Sequence, residues 1–218
     1  MAKKRGKDEE KLNYSAAVRE LKADGPKRLY LLWGPEDYLR EQYLTQLKKI
    51  CLPEGEDDFS YKRMDGPGLD PIRLREALDA IPFMSERSFV ELRNVDINKL
   101  ANADECMKLL EDIPDYCTVA FVQSTQFEPD GRLKFVKALR GEAKELKFTQ
   151  QSQGMLTDWI VRRFAAAGKS IELDAAQRLI FISGDLMSRL IPEIDKIAAY
   201  AKGERVTIKD VDAVASHI

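Results

Sequence analysis

The residues with the clearest claim to chemistry are Gly34 and those behind it, Pro35-Glu36-Asp37-Tyr38-Leu39-Arg40-Glu41, directly after the apolar run Arg28–Trp33. A glycine turn leaving a buried strand is where a phosphate-binding loop would start. Such a loop needs glycine-rich backbone to cradle phosphates, a Lys for the β and γ phosphates, and a Ser or Thr on magnesium. Here there is one glycine and no Lys-Ser/Thr pair, while Glu36 and Asp37 put two carboxylates where phosphates would lie. Like charges would repel there. The single histidine, His217, stands one residue from the end. That closes off a Ser-His-Asp triad, a Cys-His pair and most metal hydrolase sites. Cys51, Cys106 and Cys117 are far apart, odd in number, and accompanied by no CxxC pair or histidine cluster. They read as buried thiols in a reducing cytoplasm rather than as a disulfide framework or a zinc site. Carboxylates are plentiful, but solvated faces account for nearly all of them, and none forms a catalytic dyad. No cofactor and no metal are expected.

The elements that must position these residues alternate. Tyr14–Ala23 has helical spacing in Ala17, Val18 and Leu21, and Gly25-Pro26 stops it. Arg28–Trp33 reads as a buried strand. Tyr38–Ile50 follows as a helix with Leu39, Tyr43, Leu44 and Leu47 on one face. Phe59–Met64, Ser88–Leu92, Thr118–Gln123 and Glu145–Phe148 read as further strands. Between them lie helices over Ile72–Ala80, with Ile72, Leu74, Ala77 and Leu78 inward, through Met107 and Leu110, and over Arg132–Leu139. Five rounds of alternation predict an α/β domain over 13–149 with a mostly parallel five-stranded sheet covered on both faces.

From Gln151 onward the texture is helical, with no strand of useful length. Met155, Trp159, Ile160 and Phe164 form one stripe, which Gly168 ends. Asp174 is expected to N-cap a second helix, with Ala175, Leu179 and Ile182 inward. Asp185–Ala201 is the third, and Thr207 with Asp210 forms a capping box for the last. Pro192 lies inside the third helix and is expected to kink or split it. A small all-helical lid domain is therefore expected over 150–218. The leader, residues 1–12, is expected to be disordered, since Met1–Lys11 holds five basic and three acidic residues and almost nothing apolar.

Composition agrees with a soluble, cytoplasmic chain. Its 218 residues are 44% hydrophobic, enough for a real core at the size where chains begin to divide. Thirty-five basic residues nearly balance 37 acidic ones, for a net charge of −2, which argues against a nucleic-acid-coating protein. No apolar run approaches the ~18 residues of a membrane span, and no signal-peptide apolar region opens the chain. Lys48-Lys49 and Arg162-Arg163 read as solvated helix faces. Trp33 and Trp159 read as core.

An α/β domain followed by a helical bundle resembles the RecA-like AAA+ nucleotide-binding layout, and three parts of the ATPase machinery are missing from that likeness. The loop at Gly34 lacks its Lys. Phe89-Val90-Glu91-Leu92 resembles a Walker B strand, but Arg93-Asn94 stands where its Asp-Glu pair belongs. Gly184-Asp185-Leu186-Met187 resembles the segment that carries the sensor 2 arginine, with Met187 in the arginine's place.

Three segments narrow the likeness. Leu31-Leu32-Trp33-Gly34-Pro35-Glu36-Asp37-Tyr38-Leu39, Pro82-Phe83-Met84-Ser85-Glu86-Arg87, and Gly184-Asp185-Leu186 through Ile197 resemble the bacterial DNA polymerase III delta-subunit family. The likeness covers about Arg28 to Val214. It implies a non-catalytic clamp-loader subunit that binds and helps open the sliding clamp (the beta subunit) in DNA replication. It also implies gamma/tau and delta-prime partners in the full-length protein, primed DNA met through the assembled complex, and a C-terminal collar domain. The collar is expected to be absent here, leaving a monomeric fragment. By the same resemblance Pro82, Phe83 and Met84 form an apolar tip that enters a pocket on the clamp, with Glu86 and Arg87 as a polar rim. An aromatic and a thioether suit such an anchor; read without the family, the same residues would cap the sheet edge as core. Two other functions remain as alternatives. An active AAA+ ATPase would need the phosphate-binding Lys, and a stand-alone DNA-binding module would need a clustered basic face.

Overall fold

The computed structural model describes residues 13–53, 55, 60–82 and 85–216. The expected leader, and Phe59, Phe83, Met84 and His217, lie outside the described residues.

The fold grows from β1 (Leu29–Trp33), an unbroken apolar pentad with every residue buried. A strand with no polar face must be covered on both sides. It pairs in parallel with β4 (Cys117–Val122) on one side and β5 (Lys144–Lys147) on the other. β4 pairs with β3 (Ser88–Arg93), and β3 with β2 (Tyr61–Asp65), giving the order β2-β3-β4-β1-β5. All these pairings are parallel, as expected when each return to the sheet is made by a helix. The helices are α1 (Tyr14–Asp24), α2 (Asp37–Cys51), α3 (Pro71–Asp79), α4 (Ala103–Glu111) and α5 (Lys134–Glu142).

Alternation along β1 divides the core. Leu29, Leu31 and Trp33 join Leu74 and Leu78 of α3, Met107 and Leu110 of α4, and Val136 and Leu139 of α5. Tyr30 turns the other way, its ring 6.3 Å from that of Tyr43 on α2, which lies 5.9 Å from Phe148. The three cysteines are all buried.

The helical unit contains α6 (Gln153–Ala166), α7 (Leu173–Ser183), α8 (Met187–Tyr200) and α9 (Ile208–Val214), with two-residue parallel strands β6 (Ser170–Ile171) and β7 (Arg205–Val206). Its core is Leu156, Ile160 and Phe164 on α6, Leu179 and Ile182 on α7, and Leu190, Ile194 and Ile197 on α8. Two compact units thus form, one from residues 13–34 and 40–149, the other from 150–216 together with Pro35–Leu39. The latter segment follows β1 in sequence but packs with the helices.

Several expectations are corrected. Ile72 is 69% exposed rather than inward, because it sits in the first turn of α3 behind Pro71, where Leu69 fills the core instead. Met155 is 54% exposed, and Leu156 takes its place in the α6 stripe. Asp174 does not cap α7. The helix begins one residue earlier, and the Asp174 carboxylate accepts from Ala175 N at 2.8 Å. α8 starts at Met187, two residues beyond Asp185, and Pro192 does not split it. The expected reach-back at α9 is present: Asp210 Oδ2 accepts from Thr207 N at 2.9 Å. Among the described residues no helix is long and apolar enough to cross a membrane.

Candidate functional site

In a parallel α/β sheet the chain offers ligands the carboxyl ends of its strands, where the strand order changes direction. Gly34 lies there, just past β1, with φ at +117°. Phe148 N donates to Trp33 O at 2.7 Å, and this brings the Phe148 peptide against the glycine. A Cβ on Gly34 would stand 2.4 Å from Phe148 O. Arg40, buried in the first turns of α2, closes the turn by donating from Nη1 to Gly34 O at 2.9 Å.

At the end of β3 Arg93 and Asn94 are both engaged. The Arg93 guanidinium forks onto Glu41 of α2, Nη1 to Oε1 at 2.9 Å and Nη2 to Oε2 at 2.6 Å. Its Nε donates to Oε1 of Glu91. Glu91 is wholly buried in β3, and its Oε2 accepts from Tyr61 OH at 2.8 Å and lies 3.3 Å from Lys48 Nζ. Burial alone would raise the Glu91 carboxyl. The hydrogen bonds from Arg93 and Tyr61 and the charges of Arg93 and Lys48 outweigh it and hold the group below its ordinary value. The Glu41 bonds, followed by those to Glu91, push the Arg93 guanidinium up. Lys48, expected on a solvated face, is instead drawn in by Glu91. The clue was a Glu in an otherwise apolar strand, which demands a cation from somewhere. Asn94 follows in the left-handed region at φ 56°, which asparagine tolerates, and its Nδ2 donates to Asp65 Oδ1 at 2.9 Å. Every side-chain nitrogen of Arg93 is spoken for.

Within the helical unit, Glu36 is fully buried and its Oε2 accepts the Met187 amide at 3.3 Å, at the first residue of α8. The Tyr38 ring meets Trp159 edge-on at 5.7 Å. Trp159 is half-buried, with the Arg163 guanidinium 5.8 Å from its ring centre. Asp185, ahead of α8, accepts from Gln150 Nε2 at 3.1 Å.

The third place is the chain leaving α3. The helix stops at Ala80, whose extended backbone (φ −66°, ψ 108°) breaks the helical path. Ile81 is 76% exposed and Pro82 half-buried. Phe83 and Met84, which complete the expected tip, lie outside the described residues. Beyond them Ser85 Oγ donates to Arg87 O at 2.6 Å, Glu86 is exposed, and Arg87 Nη1 donates to Asp115 O at 3.2 Å. Ile81 escaped the sequence reading, since an isoleucine directly after a helix cap looks like core.

The sequence model of the family described as DNA polymerase III, delta subunit, matches residues 30–149. DNA polymerase III subunit delta from Bacillus subtilis (strain 168) is 24% identical over 204 residues, 88% of this chain and 58% of the relative. The chain therefore spans 58% of that relative's length. Among solved structures, the Bacillus subtilis DNA clamp loader delta protein is similar with a TM-score of 0.64 and 21% identity, over 94% of this chain and 63% of that one. The Thermotoga maritima RuvB Holliday junction branch migration motor is similar with a TM-score of 0.60 and 18% identity, over 92% and 65%. Both are likenesses of fold, and the fold is of the AAA+ type.

Proposed function

The chain belongs to the DNA polymerase III delta-subunit family, and from that membership we propose that it is a non-catalytic clamp-loader subunit acting in DNA replication in the cytoplasm. It binds the sliding clamp and helps open it, and it does not hydrolyse ATP. The observation that carries the non-catalytic part is Arg93, forked onto Glu41 and bonded to buried Glu91 at the carboxyl end of β3. Phosphoryl transfer relies on a phosphate-binding Lys and on metal ions bridging the phosphates. Here a protein cation, matched by protein carboxylates, ends β3, and this supports the non-catalytic reading.

The clamp-binding part rests on the segment after α3. Ile81 is exposed, and Ile81 and Pro82 precede Phe83 and Met84 in sequence. An exposed apolar tip loses water when it enters a pocket on a partner, and a few such anchors dominate many interfaces. Glu86 and Arg87 supply the polar rim. In the full-length protein, gamma/tau and delta-prime subunits assemble with it, and primed DNA is met through that assembly. Capture on immobilised sliding clamp tests the reading. Retention of the wild-type chain, with loss in the Phe83→Ala/Met84→Ala double variant, supports it; no retention of the wild type sinks it.

A further inference from the structure

Glu36 is the one acidic side chain of the Pro35–Leu39 segment that is wholly enclosed. It is 0% exposed. Its Oε2 is held by the Met187 amide, and its Oε1 has no hydrogen-bond partner among the described residues. The Met187 amide belongs to the first turn of α8, a 14-residue helix whose N-cap, Leu186, offers no side-chain acceptor. Glu36 thus supplies the capping oxygen that the local sequence of α8 omits, from a segment 151 residues away.

The surroundings suit a neutral carboxyl better than an ionised one. A buried carboxylate with an unpaired oxygen is costly unless a cation answers it. The leading charges on Glu36 among the described residues are those of Asp37, at the start of α2, and Asp185, in the turn ahead of α8, and both are negative. Arg40, the first cation on α2, directs Nη1 to Gly34 O. Arg189, the first cation on α8, is exposed, and α6 contributes the uncharged Trp159 ring against Tyr38. Burial, reinforced by Asp37 and Asp185 and opposed by the amides of Met187 and, more weakly, Tyr38, pushes the Glu36 carboxyl from its ordinary 4.5 up to about 7.

We propose that Glu36 is a proton-linked latch: neutral, it pins the Pro35–Leu39 segment to the N-terminus of α8, and ionised, it loosens that hold. The sign follows from linkage. A carboxyl whose folded value is raised binds a proton in the closed state that the open state has released. The closed form is therefore favoured most at and below pH 4.5, loses that advantage as pH rises to about 7, and changes little above. The latch concerns the helical unit alone and stands whether or not the tip binds a clamp.

Hydrogen exchange on the whole chain tests it, with no clamp and no nucleotide. Peptides covering Leu186–Leu190 are read from pH 5.5 to 8.5, corrected for intrinsic exchange and referred to β4 as an internal standard. In the wild type, protection at α8's first turn falls on the order of thirty-fold across that range. Glu36→Gln keeps an acceptor that never ionises, so its profile is flat and it is better protected than the wild type at pH 8.5. Glu36→Ala lacks the acceptor and is poorly protected throughout. Parallel pH profiles for wild type and Glu36→Gln, within twofold, overturn the proposal. So does a Glu36→Ala profile that follows the wild type. Should the alanine variant fail to fold, the comparison with the isosteric glutamine still decides.

Discussion

Arg93 lays both terminal nitrogens of its guanidinium on the two carboxylate oxygens of Glu41, at 2.9 and 2.6 Å, and so ties the end of β3 to α2 across 52 positions of sequence. The same group also answers Glu91, which has no exposed surface. Removing Arg93 leaves Glu91, among the described residues, with Lys48 and Tyr61. We expect Arg93→Ala to lower stability by about 3 kcal/mol, the scale of breaking a buried pair by deleting one partner. Arg93→Lys should recover little, because an ammonium cannot make the planar fork. Denaturant midpoints for the three proteins check this, and a loss below about 1 kcal/mol for the alanine variant would show the network to be mere surface pairing.

Nucleotide is the second test. With Arg93-Asn94 in the acidic positions and no Lys in the loop after β1, the chain should neither bind nor hydrolyse Mg-ATP. Isothermal calorimetry should give no heat beyond dilution. Micromolar binding would restore the active-ATPase reading.

The tip is the third. Replacing Phe83 and Met84 together by Ala should remove clamp binding, a loss of ~2 kcal/mol or more for a hot spot, while the melting temperature barely moves. A buried Phe truncated to Ala would instead cost about 3–5 kcal/mol of stability, several degrees or more of melting temperature. Strong destabilisation with clamp binding retained would mean that the pair is core. Ile81, exposed beside it, is the control: Ile81→Ala should leave stability unchanged.

Pro192 is the fourth. It sits inside α8 with its ring exposed, so its replacement sacrifices little packing and restores a backbone donor to the helix. Pro192→Ala should stabilise the chain by about 1–2 kcal/mol, less than the ~3 kcal/mol propensity difference, since proline also restricts the unfolded chain. A thermal melt showing destabilisation would mean that α8 is built around the proline.

The strands and the order of helices were legible because they rest on local pattern. The apolar run Arg28–Trp33 reads as a buried strand and Gly25-Pro26 as a helix stop, and β1 and the end of α1 fall there to within a residue. What the sequence hid was orientation and distance. On α6 the inward line is Leu156, Ile160, Phe164, strictly four apart, whereas Met155 with Trp159 lies one step, about 100°, around the same helix. A stripe drawn through both was wide enough to misplace Met155. Lys48 looked like half of a solvated basic pair because its partner, Glu91, arrives from a strand 43 residues on, beyond any periodicity. Glu36 and Asp37 were read together as charges facing absent phosphates. Glu36 is instead enclosed beside α8, and only Asp37, whose Oδ1 accepts from Tyr38 N at 2.9 Å, stays at the head of α2.

Gly34 is held in place by the fold itself. Its φ of +117° and the Phe148 carbonyl, 2.4 Å from any Cβ, exclude a side chain there for reasons internal to the fold. A lysine or a magnesium-binding carboxylate has no such tenure, since nothing but the ligand asks for it. Wherever a chain of this fold handles no nucleotide, nothing in the fold itself holds the catalytic letters in place, while the glycine remains as a joint in the masonry. A surviving glycine after the first strand is therefore a mark of architecture, and a poor sign of activity.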